Sequence, residues 1–356
     1  MKKTVNAALA DRSETKVAVI GGSGYVGEEL VRLLLRHPYA DLAAVTSRQF
    51  AGKTLADIFP RLSHHQKAGD LRFGASDPAQ LAQMAKIIFL ALPHGFAAEF
   101  AKPLVQTGAR IVDLSADFRI TDPRVYKEFY GNDHPAPDLL GKAVYGLPEI
   151  YRAEISHANL VACPGCYPTS ILLPLLPLIS EKVVSLASIL VTSLSGVTGA
   201  GRKVETDYLF AECNESIRPY GVPKHRHLSE IEEQLSIFAR QQVTIQFTPH
   251  LVPVNRGIIT TIYIDVTRNV DSDFIKSIYE KAYADEPFVR LLGDERFPDT
   301  KNVTGTNLID IAWRLDPRTD RVILMSAIDN VVKGASGQAI QCFNLMCGYP
   351  ETGGLL

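Results

Sequence analysis

The sequence predicts an α/β domain built on a parallel sheet, joined to an α+β domain built on a mostly antiparallel sheet. Three observations carry this reading. Short apolar strands alternate with amphipathic helices through the first third of the chain. A glycine-rich turn, Gly22-x-Gly24-x-x-Gly27, joins the first strand to the first helix. After Cys166 the strand-like runs become longer and richer in β-branched residues. At 356 residues the chain is also too long for one ordinary core, so two domains are expected.

The elements follow in order. Lys16–Ile20 is a short apolar strand that runs into the glycines. Glu28–Arg36 reads as a helix, with Leu30, Val31, Leu33, Leu34 and Leu35 on a broad apolar face, and His37-Pro38 ends it. Asp41–Thr46, Ile87–Leu92 and Arg110–Leu114 are further strands, and Glu99–Thr107 is a helix stopped by Gly108. Strands and helices alternating at this spacing argue for a parallel sheet. Beyond Cys166, strands are expected at Ser188–Ser193, Val243–Thr248, Gly257–Val266, Asn307–Leu315 and Arg321–Ala327. Helices are expected at Leu228–Gln241 and Ser272–Asp285, and the tail from Asn330 to Met346 returns to helical spacing.

Composition narrows the function. Hydrophobic residues make up 46% and charged residues 21%, as in a globular protein. A net charge of −2 and a pI near 6.5 give no case for a nucleic-acid or membrane partner. The apolar part of the start, Ala7–Ala10, is too short for a signal peptide, and residues 1–15 read as a loose polar extension. The longest apolar run, Ile171–Ile179, is broken by Pro174 and Pro177 and falls short of the ~18 residues of a membrane span. A cytoplasmic location is the expectation. The five cysteines are an odd count, so a disulfide scaffold is not expected. Cys163 and Cys166 form a C-x-x-C that admits a zinc half-site or a redox pair. Cys213, Cys342 and Cys347 supply no second C-x-x-C, so no metal site is expected.

The glycine motif follows a strand and opens a helix, the context a dinucleotide site requires. Its glycines allow the tight turn, close approach of backbone to the pyrophosphate, and helix–strand packing. The helix N-terminus adds N–H donors and the positive end of its dipole. The second strand ends in Thr46-Ser47-Arg48, where an NAD site would carry an acid. Hydroxyls and a guanidinium suit the 2′-phosphate of NADP, although Arg48 also fits a solvated strand-end charge.

Cys166 lies in Cys163-Pro164-Gly165-Cys166-Tyr167-Pro168-Thr169, ahead of a helix-like apolar run. A helix N-terminus there would lower the thiol pKa and favour a nucleophilic thiolate; a buried inert cysteine is the alternative. Lys224-His225-Arg226-His227-Leu228-Ser229-Glu230 is the best acid/base segment, with Glu230 placed to orient a ring. A basic surface cluster is the competing reading. His250 and His94 are lesser candidates. Ser195 to Lys203 is a second glycine-rich loop, either an anion nest or a flexible turn. Arg119, after Asp113-Leu114-Ser115, is a candidate for a phosphate or carboxylate.

Together these residues resemble the N-acetyl-γ-glutamyl-phosphate reductase family of arginine biosynthesis. The similarity runs through Gly21–Gly27, Ala91–Gly95, Asp113–Arg119, Tyr145–Glu149, Pro164–Thr169, Ser195–Arg202, His225–Glu230, Pro253–Gly257 and Asp329–Gln338. The resemblance implies a Rossmann NADP-binding domain over 1–165 plus 329–356. It implies a second domain over 166–328, related to aspartate-semialdehyde dehydrogenase, that carries the thiol and the contacts of a homodimer or homotetramer. The implied reaction is NADPH-dependent reduction of an acyl phosphate, a small-molecule substrate, through a thioacyl enzyme on Cys166. His227 or His225 would move protons, supported by Glu230. NADP would be held by Gly21, Gly22, Ser23, Gly24, Tyr25, Val26, Gly27, Ser47, Arg48, Pro93, His94, Ser195, Gly196, Gly199 and Asn330. Substrate would be held by Arg119, Ser115, Tyr167 and Arg202. The family usually has Asn at Cys163 and often Pro at Ser229. Cys163 therefore raises a disulfide with Cys166 under oxidation. Rival readings are a reductase of aspartyl phosphate, a reductase of a carrier-linked or longer acyl phosphate such as an aminoadipyl phosphate, and an NADP-binding regulator without catalysis.

Overall fold

The computed structural model describes residues 14–202, 204–268 and 270–356. The polar extension read over 1–15 thus falls outside the described residues up to 13, as does Lys203 of the second glycine loop; Thr15 already belongs to the first strand.

The first sheet contains β1 (Thr15–Ile20), β2 (Ala40–Thr46), β3 (Phe73–Gly74), β4 (Ile87–Leu90), β5 (Arg110–Asp113), β6 (Val144–Tyr145) and β7 (Leu160–Ala162). Their order is β3-β2-β1-β4-β5-β7-β6 and every pairing is parallel. Both faces are covered. Val17 and Val19 of β1 pack with Leu30, Val31 and Leu34 of the helix Tyr25–Leu35, together with Ile340 and Phe343 of the C-terminal helix Gly337–Cys347. Ala18 and Ile20 face the other way, onto Ala98, Ala101 and Leu104. This alternation is the period of two that a strand imposes. The chain runs outward from β1 to β3 and then returns to β4 on the other side of β1. Ligand crevices form at the carboxyl ends of strands where the order reverses in this way.

The first helix begins at Tyr25, three residues before the expected start, because Gly27 lets its first turn pack on the preceding loop. A Cβ at Gly27 would lie 2.6 Å from the Gly21 carbonyl oxygen. Strands β3, β6 and β7 span two or three residues, too few to show periodicity.

The second sheet contains β8 (Leu190–Gly196), β9 (Arg218–Pro219), β10 (Gln246–Val252), β11 (Ile258–Asp265), β12 (Val289–Gly293), β13 (Ile309–Asp316) and β14 (Arg321–Ile328). Its order is β12-β13-β14-β11-β8-β10-β9. The β8–β10 and β12–β13 pairs are parallel and the other four antiparallel, so the sheet is mixed with an antiparallel majority. The strand expected at Val243–Thr248 starts later. The Val243 and Ile245 amides bind Ser236 Oγ and Glu232 Oε1 in place of a strand ladder.

Against the second sheet packs the helix Cys166–Ser180, buried from Tyr167 to Ile179. It continues through both prolines that interrupt its sequence. Pro174 and Pro177 cannot donate to the carbonyls of Ser170 and Leu173. Ser326 Oγ donates to the first of these and Tyr283 Oη to the second, each at 2.6 Å. The lost bonds are thus replaced by side chains from β14 and from the helix Ser272–Tyr283. Among the described residues no helix is long and apolar enough to cross a membrane.

Candidate active site

A cavity of about 780 Å³ opens where the first sheet meets the helix Cys166–Ser180. The glycine turn lines one end and Cys166, His225 and His227 the other.

At the thiol end, β7 runs into Cys163-Pro164-Gly165, and Gly165 is the N-cap of the helix that starts with Cys166. The Gly334 backbone packs closely on Cys166: a Cβ on Gly334 would lie 2.7 Å from Cys166 Cβ. Burial pushes the Cys166 thiol up to about 11, although Arg119 and the Tyr167 amide pull the other way. The expected lowering by the helix N-terminus is therefore outweighed by desolvation, and the resting group is a neutral thiol.

His227 Nε2 stands over the residue before the nucleophile. A Cβ on Gly165 would lie 2.5 Å from it, so the ring occupies space that only glycine leaves. His227 donates its backbone N–H to His225 Nδ1 at 3.1 Å, which leaves the proton of a neutral His225 on Nε2. Burial and the nearby charge of Arg226 push His225 down to about 4. Burial, His225, Arg119 and Arg226 lower His227 well below its ordinary value. Both rings are neutral at pH 7. His227 Nδ1 is buried without a partner. Tyr167 packs edge-on against both rings, and its hydroxyl bonds that of Tyr220 at 2.8 Å.

Glu230 does not orient a ring. Its Oε1 accepts from the Gly165 amide at 2.9 Å and from Tyr145 Oη at 2.7 Å, and Oε2 faces Arg119 at 3.6 Å. It secures the nucleophile turn from below. Arg119 is likewise engaged: it donates to the carbonyls of Cys163 and Leu114. Ser115 is held by Asp113, to which it donates from both N and Oγ. Cys163 lies in the first core beside Cys342, and Cys166 packs with the second. All five cysteines are free.

At the other end, Gly21 adopts φ +85°, and a Cβ there would meet the Ala91 carbonyl oxygen at 2.4 Å. Gly24 is different: nothing lies within 4 Å of its missing Cβ, and the helix that it caps has no side-chain cap. The amides of that first turn thus face open cavity, which fits a pyrophosphate. Ser23 and Ser47 join hydroxyls at 2.9 Å, and Arg48 stands 5.6 Å from the Phe96 ring centroid. No carboxylate occupies the end of β2. The residues present fit NADP.

The remaining predicted residues line the cavity, Pro93 included, except Gly22, which is buried against Val45 of β2. Arg226 donates to the His94 ring at 2.9 Å. After Ser195 and Gly196 at the end of β8, Val197–Ala200 forms a 3-10 turn tied down by Asn330, which donates to Thr198 Oγ1 and accepts from the Gly257 amide. Its backbone is anchored, which sets it apart from a merely flexible turn. Arg202 sits at the dinucleotide end, paired with Glu28 and 4.8 Å from the Tyr25 ring centroid. His250 does not line the cavity. Sequence reasoning passed over Arg226, Tyr130 and Gly334 as site residues; Arg226 stood between the two histidines and was legible there.

The semialdehyde dehydrogenase NAD-binding domain family matches residues 16–158, and the semialdehyde dehydrogenase dimerisation domain family matches residues 166–330. The chain is 55% identical to N-acetyl-γ-glutamyl-phosphate reductase of Akkermansia muciniphila over 343 residues, covering 96% of this chain and 99% of the relative. It is 48% identical to the enzyme of that name from Alkaliphilus metalliredigens, covering 96% and 97%. In fold it is similar to aspartate semialdehyde dehydrogenase II of Vibrio cholerae, at TM-score 0.71 and 19% identity, covering 94% and 99%. The Candida albicans aspartate semialdehyde dehydrogenase solved with NADP gives 0.71 at 16% identity, covering 94% and 98%. With both halves of its chain matched and relatives near half-identical over almost its whole length, the chain belongs to the N-acetyl-γ-glutamyl-phosphate reductase family.

Proposed function

We propose that the protein reduces N-acetyl-γ-glutamyl phosphate to N-acetylglutamate 5-semialdehyde and phosphate with NADPH, in arginine biosynthesis. The observation that carries this is the junction of Gly165, Cys166 and His227 in one cavity with the dinucleotide turn.

The chemistry follows from a neutral thiol beside a neutral imidazole. Cys166 Sγ attacks the acyl carbon while its proton passes to His227, and the phosphate leaves carrying that proton. The thioester that remains on Cys166 accepts hydride far more readily than a carboxylate would. NADPH, when bound, supplies that hydride. A proton from solution completes the release of aldehyde and restores the thiol, again through the imidazole. His225 fixes the segment through its bond to the His227 amide. Glu230 and Arg119 hold the turn beneath Cys166.

Among the described cations that line the cavity, Arg119, Arg202 and Arg218 are already paired with Glu230, Glu28 and Asp207. The contacts of Arg226 are His94 and the Tyr130 ring, with no carboxylate among them. Arg226 is thus the cation that takes the anionic end of the substrate, and Arg48 takes the 2′-phosphate. The domains divide as 1–165 with 329–356, and 166–328. In support, the helix Gly337–Cys347 packs in the first core. The second sheet leaves one face half-open, with Tyr263 and Leu190 exposed, which fits a homodimer or homotetramer in the cytoplasm.

The test is phosphate-dependent NADP reduction with N-acetylglutamate semialdehyde, run beside aspartate semialdehyde. Turnover of the first and not the second supports the reading; the reverse pattern overturns it. Arg226→Gln should raise KM for one anionic reactant, phosphate or semialdehyde, by about tenfold or more.

A further inference from the structure

Lys333 Nζ donates to Glu149 Oε1 at 2.5 Å, and neither side chain has any solvent exposure. Lys333 also donates to Gln341 Oε1 at 2.9 Å, and its Nζ lies 5.8 Å from the Phe288 ring centroid. Gln341 returns a bond to Glu149 at 3.1 Å, and Glu149 Oε2 has no partner. Burial pushes the Glu149 carboxyl up, but Lys333 and Gln341 outweigh it and hold the group below its ordinary value. Removing two charges from water costs more than their attraction commonly returns, so such a pair is poor evidence of stability and points to a geometric role. The thioacyl chemistry uses neither residue.

The segments that the pair joins are specific. Glu149 opens the helix Pro148–His157, directly after Tyr145-Gly146-Leu147. Lys333 lies in a wide turn, Val332–Ser336, where the Gly334 and Ser336 amides bond to carbonyls five residues back, at Asp329 and Val331. Such π-type turns recur at functional sites. Gly334 is pressed against Cys166 and Ser336 Oγ donates to the Val26 carbonyl of the dinucleotide helix. Within three residues the turn therefore touches both Cys166 and the helix that opens the cofactor site. Relaxation to ordinary α-helical register would shift the helix Gly337–Cys347 by one residue, a rotation of about 100°.

We propose that Lys333 and Glu149 are positioning residues: their buried ion pair pins the wide turn so that the Cys166 thiol and the dinucleotide helix keep a fixed separation. The proposal rests on the reading of Cys166 and the glycine turn as one site. It predicts that the pair governs hydride delivery to the acylated thiol and leaves binding unchanged.

The deciding variant is Glu149→Leu with Lys333→Met, which replaces the pair by apolar groups of similar volume and so leaves no charge unpaired. It should fold with an unchanged or higher Tm and bind NADP and substrate within about threefold of wild type, while kcat falls about 100-fold. Bound NADP should also protect Cys166 from iodoacetamide in the wild type, and this protection should be lost in the variant. A kcat within about threefold of wild type, with protection intact, overturns the proposal. Should the double variant not fold, Glu149→Asp retains the charge and shortens its reach. A lower kcat at unchanged KM then supports the pin, and an unchanged kcat overturns it. If the wild type fails to turn over the acyl phosphate, the functional reading falls, while the NADP-protection comparison still decides this proposal.

Discussion

The two ends of the cavity solve opposite problems. At the dinucleotide end the protein offers backbone: Gly24 is open, the helix turn has no side-chain cap, and Arg48 stands by the Phe96 ring with no carboxylate partner among the described residues. An anion can enter and be satisfied there without displacing a partner. At the thiol end the groups are already committed. Glu230 holds the Gly165 amide, Arg119 holds two carbonyls, and Cys166 is desolvated to about 11. A helix N-terminus is common to both ends, yet only the one at Gly24 is left open to an anion. The lesson is that a dipole effect worth about 0.3–1 kcal/mol is smaller than the desolvation of a buried thiol.

This contrast can be broken from either side. Replacing His227 with Asn should cost the most, about 10²–10⁴ in kcat, because a thiol that rests neutral needs a base for its proton. Little loss would mean that Cys166 ionises unaided. The thiol's own titration is the next lever. Alkylation of Cys166, located by peptide mass, should keep rising with pH through the ordinary thiol range and reach half its limit near 11. The sign follows from burial, which disfavours the charged thiolate, so reactivity appears only as pH approaches the raised value. A plateau reached near pH 8 would contradict a desolvated thiol. At the open end the expected effect is smaller and selective. Arg48→Ala should raise KM for NADPH about 10–100-fold and leave NADH almost unchanged. An equal loss with both cofactors would remove the 2′-phosphate from the argument.

Legibility divided along the same line. The glycine turn, the end of β2 and the thiol's helix could be read from the sequence because each is a local pattern. Strand-to-helix punctuation, a missing acid and a proline in the first turn all lie within a few residues. The mixed sheet was read as mostly antiparallel from its β-rich runs, and four of six pairings are. The features that escaped depend on contacts distant in sequence. The helix Cys166–Ser180 survives Pro174 and Pro177 because Ser326 and Tyr283 supply the missing donors. Glu230 was assigned to a histidine three or five residues away, but it turns to Gly165 and Tyr145. Cys163 was grouped with Cys166 by spacing, yet the strand-to-helix turn sends the two side chains into different cores. Arg226 stands between the histidines, but that it and Arg48 are the described cavity cations without a carboxylate partner depends on the distant pairing of Arg119, Arg202 and Arg218.

In the proposed reaction Cys166 becomes acylated by a phosphorylated carboxylate before hydride arrives. Mixing the enzyme with N-acetyl-γ-glutamyl phosphate in the absence of NADPH isolates that step, with phosphate release and intact mass as the readouts. The expected result is a burst of phosphate equal to the enzyme concentration, a mass increase of one N-acetylglutamyl group on Cys166, and neither in Cys166→Ala. Release of phosphate only when NADPH is present, or an equal burst in Cys166→Ala, would contradict it.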